Sequence, residues 1–244
     1  FGLDQRTAIA ALRHRYAPVR YWAVRLICDD IGFANKRDTL GLIDSLGSVA
    51  KGPKQVSDRL FDAIVEQARY EKDTEVRSQM AGSARRLPTG QALALVKAVL
   101  QHAEDVEDLY VPLMCWWVLE AHFDRDRDAI MALFDDAEFR REPMVVKHIL
   151  QRVMRALASK GLNRDLQNCS RLLGLADGKE QVDELLKGFE LAYIGRSMAG
   201  LPADLAKALV ASGRSSLELR LRLGDSDARG TAVALLKNTK AKAA

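Results

Sequence analysis

Apolar residues recur along most of this chain with the spacing of an amphipathic helix. They lie three or four positions apart, so each set forms a single stripe about 100° wide on a helix surface. The clearest stripes start at Val19, Val111, Val146 and Val182, and the first comprises Val19, Trp22, Ala23, Leu26 and Ile27. No stretch alternates apolar and polar residues as a half-buried strand would. The pattern therefore predicts an all-α protein that buries these stripes.

A short helix-opening pattern that ends in Val-Arg also recurs. It reads APVRYWAVRL at 17–26 and TEVRSQMAGS at 74–83, and degenerate copies run over 109–120 and 142–154. Repetition of this kind indicates a stack of helical repeats, because a single repeat cannot bury its own apolar face. We expect a right-handed α-α superhelix of about six helix pairs, an estimate from typical repeat lengths.

The distances between these copies fit helix-turn-helix repeats except at the first step. Val76 and Val111 are 35 residues apart and Val111 and Val145 are 34 apart, whereas Val19 and Val76 are 57 apart. The long first step predicts either an insertion near Gly47–Lys54 or an extra helix pair.

The chain is predicted to form one repeat domain over residues 1–236. The remaining residues, 237–244, form a polar basic tail that we expect to be frayed. Asp73 is placed to cap the helix that follows it, with Glu75 favourably located in the first turn. Because the sequence begins at Phe1 and has no signal-like segment, we expect it to be a piece of a longer protein.

Composition and charge narrow the classes of function. Hydrophobic residues make up 48% and charged residues 29%, which is usual for a globular protein. The net charge is +4, but three of the lysines lie in the tail, so the repeat domain carries only +1. This balance does not favour a nucleic-acid partner. No apolar run approaches the ~20 residues that a membrane-spanning helix requires.

The cysteines and histidines do not form a recognisable reactive site. Cys28, Cys115 and Cys169 lie in apolar helical contexts, which predicts buried, inert thiols and leaves open one disulfide among them. Glu120 and His122 diverge on a helix, and the four histidines are scattered, so no metal site is predicted. No Cys-x-x-Cys-His, Gly-rich phosphate loop or Gly-x-Ser-x-Gly occurs. We therefore expect no catalytic residue and no cofactor in this chain.

The Val-Arg pattern, DTEVR at 73–77 and APVR at 17–20, resembles the HEAT repeat. This resemblance implies a HEAT/armadillo-like solenoid in which an arginine opens the second helix of each pair. In that family the arginine joins a ladder of polar contacts between neighbouring units, a role that falls here to Arg20 and Arg77. The third copy has Val111-Pro112 at this place, so the ladder is expected to be interrupted there.

A second resemblance rests on the run DLYVPLMCWWVLEAHFDRDRDAIMALF at 108–134, and on HILQRVMRALASKG at 148–161 and LRLRLGDSDA at 219–228. These segments are similar to the helical region of large planctomycete and verrucomicrobial proteins known as membrane-bound dehydrogenases or PVC-type haem-binding-domain proteins. The resemblance implies a periplasmic or extracellular parent protein with a β-propeller before the helical region and a cytochrome c module after it. The haem-attachment motif is absent here, so haem binding is not carried over.

Exposed positions on the Val-Arg helices are the candidate binding residues. Trp116 and Trp117 point about 100° apart on a helix, so they either both fill gaps between stacked helices or one of them lies at an open surface. Trp117 is the best candidate anchor, because rigid aromatic residues dominate interface energies. The partner-binding positions that we expect are Tyr21, Arg25, Ser78, Arg85, Trp117 and Glu120.

These observations favour a non-catalytic scaffold that mediates protein-protein or interdomain contacts within a larger secreted redox protein. Its partners would be other proteins or neighbouring domains of the same polypeptide. The alternative is a HEAT-like DNA-binding protein or alkylpurine DNA glycosylase, which would need a continuous basic stripe with an acidic residue among aromatics. The interleaved charges of this chain argue against that alternative. A HEAT-like lyase acting on bound pigments is a third hypothesis with no specific support.

Overall fold

The computed structural model describes residues 4–38 and 55–242, and all regular structure in this part of the chain is helical. The prediction of an all-α protein is confirmed. The described residues form fourteen α-helices, compared with the roughly 12 that six repeat pairs would supply. The chain divides into two compact units, Phe1–His148 and Ile149–Ala244. None of the described helices combines the length and apolar character that crossing a membrane requires.

The described residues of the first unit contain eight α-helices. In chain order these are α1 (Gln5–Leu12), α2 (Ala17–Asp38), α3 (Asp58–Tyr70), α4 (Thr74–Ala84), α5 (Thr89–Val99), α6 (Val111–Phe123), α7 (Arg127–Leu133) and α8 (Ala137–Arg141). A short 3-10 helix, Ala103–Asp105, lies between α5 and α6, and a π-helix, Val145–Ile149, follows α8. The predicted cap of α4 is confirmed, since the Asp73 side chain accepts from the backbone amide of Val76 at 3.1 Å.

The helices of the first unit pack in two layers. Helices α1, α3, α5 and α7 pack side by side in one layer, and α2, α4 and α6 do so in the other, which we call the second-helix layer. The layers are held together by contacts such as α1 on α2, α4 on α5 and α5 on α6. This alternation is the local arrangement that a helical-repeat stack requires.

The apolar stripes define the core, with one correction at α2. The stripe of α6 is buried except for half-buried Met114. In α2, however, Val19, Trp22 and Leu26 are 38%, 52% and 48% exposed, so their predicted burial is wrong. Ala23 and Ile27 of the predicted stripe are buried, and Val24 and Cys28 complete the buried face in place of the three exposed residues. Small residues let a helix approach its neighbours closely, and the only described helices on which α2 packs extensively are α1 and α4.

The long first repeat step is partly explained. One α-helix, α3, lies between α2 and α4 in the described residues, and α2 itself extends over 22 residues. The predicted insertion near Gly47–Lys54 lies outside the described residues. At the other end, the last helix reaches Lys242, so the final two residues of the tail also lie outside them, and fraying of the tail stays a prediction.

The second unit contains six α-helices in its described residues. These are α9 (Leu150–Lys160), α10 (Asn163–Leu175), α11 (Lys179–Ala192), α12 (Ala203–Ala211), α13 (Leu217–Arg222) and α14 (Ser226–Lys242). The alternation seen in the first unit recurs, because α9 packs on α11 and α10 packs on α12. The contact between α9 and α11 is especially close. A Cβ atom added to Gly188 in α11 would lie only 2.2 Å from the backbone oxygen of Gln151 in α9.

Gly188 should therefore be required for the packing of α11 on α9. We predict that Gly188→Ala lowers the free energy of unfolding by ~1–3 kcal/mol, because the methyl group meets backbone that has to move. The matched control is Gly174→Ala in α10, where an added Cβ meets nothing within 4 Å. Removal of a helical glycine there should leave stability unchanged or raise it by up to ~1 kcal/mol. Urea denaturation measures the free energy of unfolding of both variants. If Gly188→Ala proved as stable as Gly174→Ala, the close contact between α11 and α9 would be contradicted.

Candidate functional site

Arg20, near the start of α2, forms a bidentate ion pair with Glu71. Its Nε and Nη2 donate to the two carboxylate oxygens at 2.7 and 2.6 Å, and its Nη1 donates to the carbonyl oxygen of His14 at 2.9 Å. The Glu71 side chain has no exposed surface and also accepts from Gln67 and from the backbone amide of Asp73. The pair thus fixes the start of α2 against the connection between α3 and α4.

Arg77, in the first turn of α4, forms the same kind of pair with Asp105. Nε and Nη2 donate to the two carboxylate oxygens at 2.5 Å each, and Nη1 donates to the carbonyl oxygen of Glu71 at 2.7 Å. Both charged side chains of this pair are almost completely buried. Because Glu71 accepts from Arg20 through its side chain and from Arg77 through its backbone, it links the two ion pairs.

Burial and hydrogen bonds have opposite effects on the pKa of the Glu71 carboxyl. Burial by itself raises the pKa of the Glu71 carboxyl, because a charge loses its hydration in the protein interior. The hydrogen bonds from Arg20, from the backbone amide of Asp73 and from Gln67 outweigh burial, so the pKa lies below its ordinary value. Glu71 is therefore ionised at neutral pH and needs its arginine partner to remain in the interior.

A third arginine shares the backbone part of this geometry. In each case the guanidinium donates to the carbonyl oxygen six residues earlier, and the pairs are Arg20 with His14, Arg77 with Glu71, and Arg140 with Phe134. We call these three residues the arginine ladder. Each of them holds two successive helices together. The guanidinium on the second helix donates to a carbonyl group just past the end of the first, where no helical hydrogen-bond partner is present.

Arg140 was missed by the sequence analysis. The valine of the Val-Arg pattern is replaced by Phe139, which hides the copy. A wider pattern, Asp-x-Glu-apolar-Arg, reads DTEVR at 73–77 and DAEFR at 136–140 and would have found it. The capping aspartate is conserved in role, since Asp136 accepts from the backbone amides of Glu138 and Phe139.

The expected gap in the ladder falls at α6. The Val111-Pro112 pair supplies no guanidinium there. Asp108 instead holds the start of α6 through hydrogen bonds to its backbone. Its side chain accepts from the backbone amides of Tyr110 and Val111 at 2.8 and 2.7 Å. The carboxylate thus satisfies two amide groups at the start of α6 that have no partner within the helix.

The two adjacent tryptophans of α6 face different environments. Trp116 is 7% exposed and belongs to the core, whereas Trp117 is 47% exposed. Glu120, one turn further along the same helix, is exposed as well. Trp117 and Glu120 therefore lie on the outer side of the second-helix layer, where a partner can reach them.

The predicted site residues of α4 lie close to α6. Ser78 is half-buried, and its hydroxyl lies 3.2 Å from the Met114 sulfur. A Cβ atom on Gly82 would be 2.7 Å from the end of the same methionine, so α4 and α6 are closely packed here. Arg85 is exposed at the carboxyl end of α4. The structure therefore brings Ser78 into contact with α6, the helix that carries Trp117.

The predicted site residues of α2 surround a tryptophan that the sequence analysis assigned to the core. The Tyr21 ring meets the Trp22 ring edge-on with centroids 6.0 Å apart, and the Arg25 guanidinium lies 5.1 Å from the centre of that ring. Tyr21 is half-buried and Arg25 is exposed. Trp22 is thus a further candidate contact residue, and its adjacent tyrosine and arginine were the available signal.

His122 is a buried histidine at the inner side of α6. Its Nδ1 lies 3.1 Å from the Thr89 hydroxyl oxygen at the start of α5. Burial lowers the pKa of His122, and the positive charge of Arg125 lowers it further. The imidazole is therefore neutral in the folded protein at neutral pH, as a buried side chain of the core requires.

The remaining reactive side chains are structural. The three cysteines are buried, as predicted, and burial raises the pKa of Cys115 above its ordinary value and that of Cys169 to about 12. Such thiols are protonated and unreactive at neutral pH. Among the described residues, no three His, Cys, Asp or Glu side chains gather as metal ligands would.

Comparison with protein-family models, with curated proteins and with solved structures finds no match to this chain.

The buried pair of Arg77 and Asp105 gives a direct test of the ladder. Arg77→Met should lower the free energy of unfolding by ~3–5 kcal/mol, because it leaves the buried Asp105 carboxylate without a charged partner. The double variant Arg77→Met/Asp105→Leu should recover much of this loss. The control is Arg13→Met, whose ion pair with Glu66 is solvent-exposed and should contribute ~0–1 kcal/mol. A loss no larger for Arg77→Met than for the control would show that the ladder does not stabilise the fold.

His122 should make stability depend on pH. As the pH falls below about 6.5, the unfolded chain takes up a proton on this residue before the folded chain does, so stability falls with acid. His122→Gln keeps a hydrogen-bonding group beside Thr89 and cannot titrate. We predict that thermal unfolding of the wild type between about pH 7.5 and pH 5.5 is more pH-dependent than that of the variant. If the unfolding temperatures of the wild type and of His122→Gln changed equally with pH over this interval, the burial of a neutral imidazole would be contradicted.

Proposed function

We propose that this chain is a non-catalytic scaffold of the HEAT/armadillo type, which holds another protein or a neighbouring domain of its own polypeptide. The observation that carries the proposal is the arginine ladder, which recurs at the connections that lead into α2, α4 and α8. A stack maintained by such a repeated internal contact supplies a long fixed surface, and this is how helical-repeat proteins bind.

The second-helix layer is the surface that we assign to the partner. In repeat stacks, the second helices of successive pairs line the face on which partners dock. Here α2 and α6 each expose a tryptophan, and Arg25, Arg85 and Glu120 accompany them. Clusters of exposed tryptophan and arginine account for much of the energy of protein interfaces.

The charges on this layer support a protein partner rather than a nucleic acid. Arg25 on α2 and Arg85 at the end of α4 alternate with Glu75 on α4 and Glu120 on α6, and all four are exposed. A phosphate backbone is bound by a continuous positive surface, whereas mixed charge suits the polar rim of a protein interface. The glycosylase alternative has no specific observation in its favour.

The finer parts of the proposal follow from the sequence resemblances. The chain would form a right-handed superhelix of about six pairs, an estimate from repeat length. It would lie between the propeller and the cytochrome c module of a secreted redox protein in the periplasm. Any cofactor of the parent protein would belong to those other domains.

Trp117 is the residue with which to test the proposed surface. The purified chain is titrated against the remaining domains of its parent protein, as wild type, as Trp117→Ala and as the control Leu162→Ala, which removes an exposed side chain from the second unit. Trp117→Ala should weaken binding at least tenfold, because it removes a rigid aromatic anchor, and the control should not. Far-UV circular dichroism checks the folding of each variant.

Two results would contradict the proposal in different ways. If a well-folded Trp117→Ala binds as tightly as the wild type, then Trp117 is not the anchor. If the wild type binds none of the parent domains, then the chain is not an interdomain scaffold.

A further inference from the structure

Three connections of the first unit lie together along one edge, which we call the loop edge. They join α1 to α2 (13–16), α3 to α4 (71–73) and α5 to α6 (100–110). The pair of Arg20 and Glu71 joins the first connection to the second, and the pair of Arg77 and Asp105 joins the second to the third. The imidazole of His102 also lies 2.6 Å from the Ala68 carbonyl oxygen, near the end of α3. The loop edge is thus a fixed surface.

A large exposed side chain lies within each connection or directly beside it. Tyr16, Tyr70, Leu109 and Tyr110 are 55%, 74%, 78% and 66% exposed, respectively. Aromatic side chains bury about 150–250 Å² each, so this row offers roughly 500 Å² per molecule. That is more than half of the ~800 Å² per partner in a standard protein interface, and surrounding charged side chains can supply the rest.

The charges on the loop edge are divided along its length. Exposed cations lie at its first and second connections, namely Arg13, Arg15, Arg69 and Lys72. Exposed carboxylates lie at its third connection, where the side chains of Glu104 and Glu107 are 61% and 79% exposed. Some of these charges have local partners. Arg13 pairs with exposed Glu66 and Glu107 pairs with Lys147, whereas Glu104 lies 3.4 Å from Arg77, whose charge Asp105 already balances. The excess charge is therefore positive at the first two connections, through Arg15, Arg69 and Lys72, and negative at the third, through Glu104.

We propose that the loop edge is a self-complementary interface through which two copies of this chain form a two-fold dimer. A two-fold rotation brings the positive end of one copy against the negative end of the other and places the tyrosine row between them. Such an interface uses the same patch on both partners, so the patch must be its own complement, and a surface that is divided in charge meets this condition. A partner of uniform charge would instead be repelled by one end of the edge.

The dimer rests on the first unit alone and leaves the second-helix layer available. It is therefore independent of the proposed scaffold function, and the two proposals can fail separately. Binding of the parent domains is measured at the Trp117 surface, whereas dimerisation is measured on the isolated chain.

Sedimentation equilibrium of the purified chain is the first test. We expect a concentration-dependent dimer at low ionic strength, about 50 mM salt, which weakens as salt is raised because exposed charges are screened. A chain that remains monomeric up to about 200 μM at low salt would overturn the proposal, because that concentration detects even a weak interface.

Charge variants test which surface is used. Arg15→Glu/Lys72→Glu makes the edge predominantly negative, and Glu104→Gln/Glu107→Lys makes it predominantly positive. Neither variant should dimerise by itself, because like charges then face each other across the two-fold axis. An equimolar mixture of the two should form a one-to-one heterodimer. Self-association of both variants at the wild-type level, or failure of the mixture to associate, would overturn the assignment.

The tyrosine row has its own test with a matched control. Tyr70→Ser should weaken the dimer at least tenfold, because it removes an aromatic side chain from the centre of the interface. Ile194→Ser removes a similarly exposed apolar side chain from the second unit and should leave the dimer unchanged. Equal effects of the two changes would overturn the proposal, and circular dichroism confirms that each variant is folded.

Discussion

The first unit depends on the burial of two guanidinium–carboxylate pairs. A buried carboxylate is tolerated only when hydrogen bonds replace the water that it loses, and Glu71 and Asp105 each receive a bidentate pair of donors from an arginine. Arginine has five N–H donors in a fixed plane, so it can hold a carboxylate and a backbone carbonyl at the same time. One side chain therefore fixes the connection between two helices and the position of the next pair.

The helices themselves were predictable from apolar spacing, but the covered side was not predictable for every helix. The residues of the predicted stripe that runs from Val146 to Leu157 are buried as expected. Val19, Trp22 and Leu26 have the same spacing and are exposed. Periodicity identifies a stripe but does not show which neighbours are present to cover it. In α2, the small residues Ala23 and Cys28 allow the close approach of neighbouring helices, so they determine the buried side.

The ladder was only partly accessible from the sequence. The Val-Arg pattern pointed to Arg20 and Arg77, whereas Phe139 concealed Arg140. Their carboxylate partners could not be identified from the sequence. Glu71 lies 51 residues after Arg20, whereas Asp105 lies 28 residues after Arg77. These separations share no period, since loop lengths differ between repeats. Only the folded chain shows which acidic residues are enclosed.

The ladder also accounts for the character of the surfaces that remain. Arg20 and Arg77 are used internally, and Glu71 and Asp105 are enclosed with them, so these four charges are not offered to a partner. The loop edge instead exposes its tyrosines beside charged side chains that lie at the surface. On the second-helix layer, Gly82 packs closely against Met114 of α6, and Trp117 on the same helix is exposed. The interactions that maintain the stack thus leave large aromatic side chains at its surface, where they contribute little to folding and are available for association.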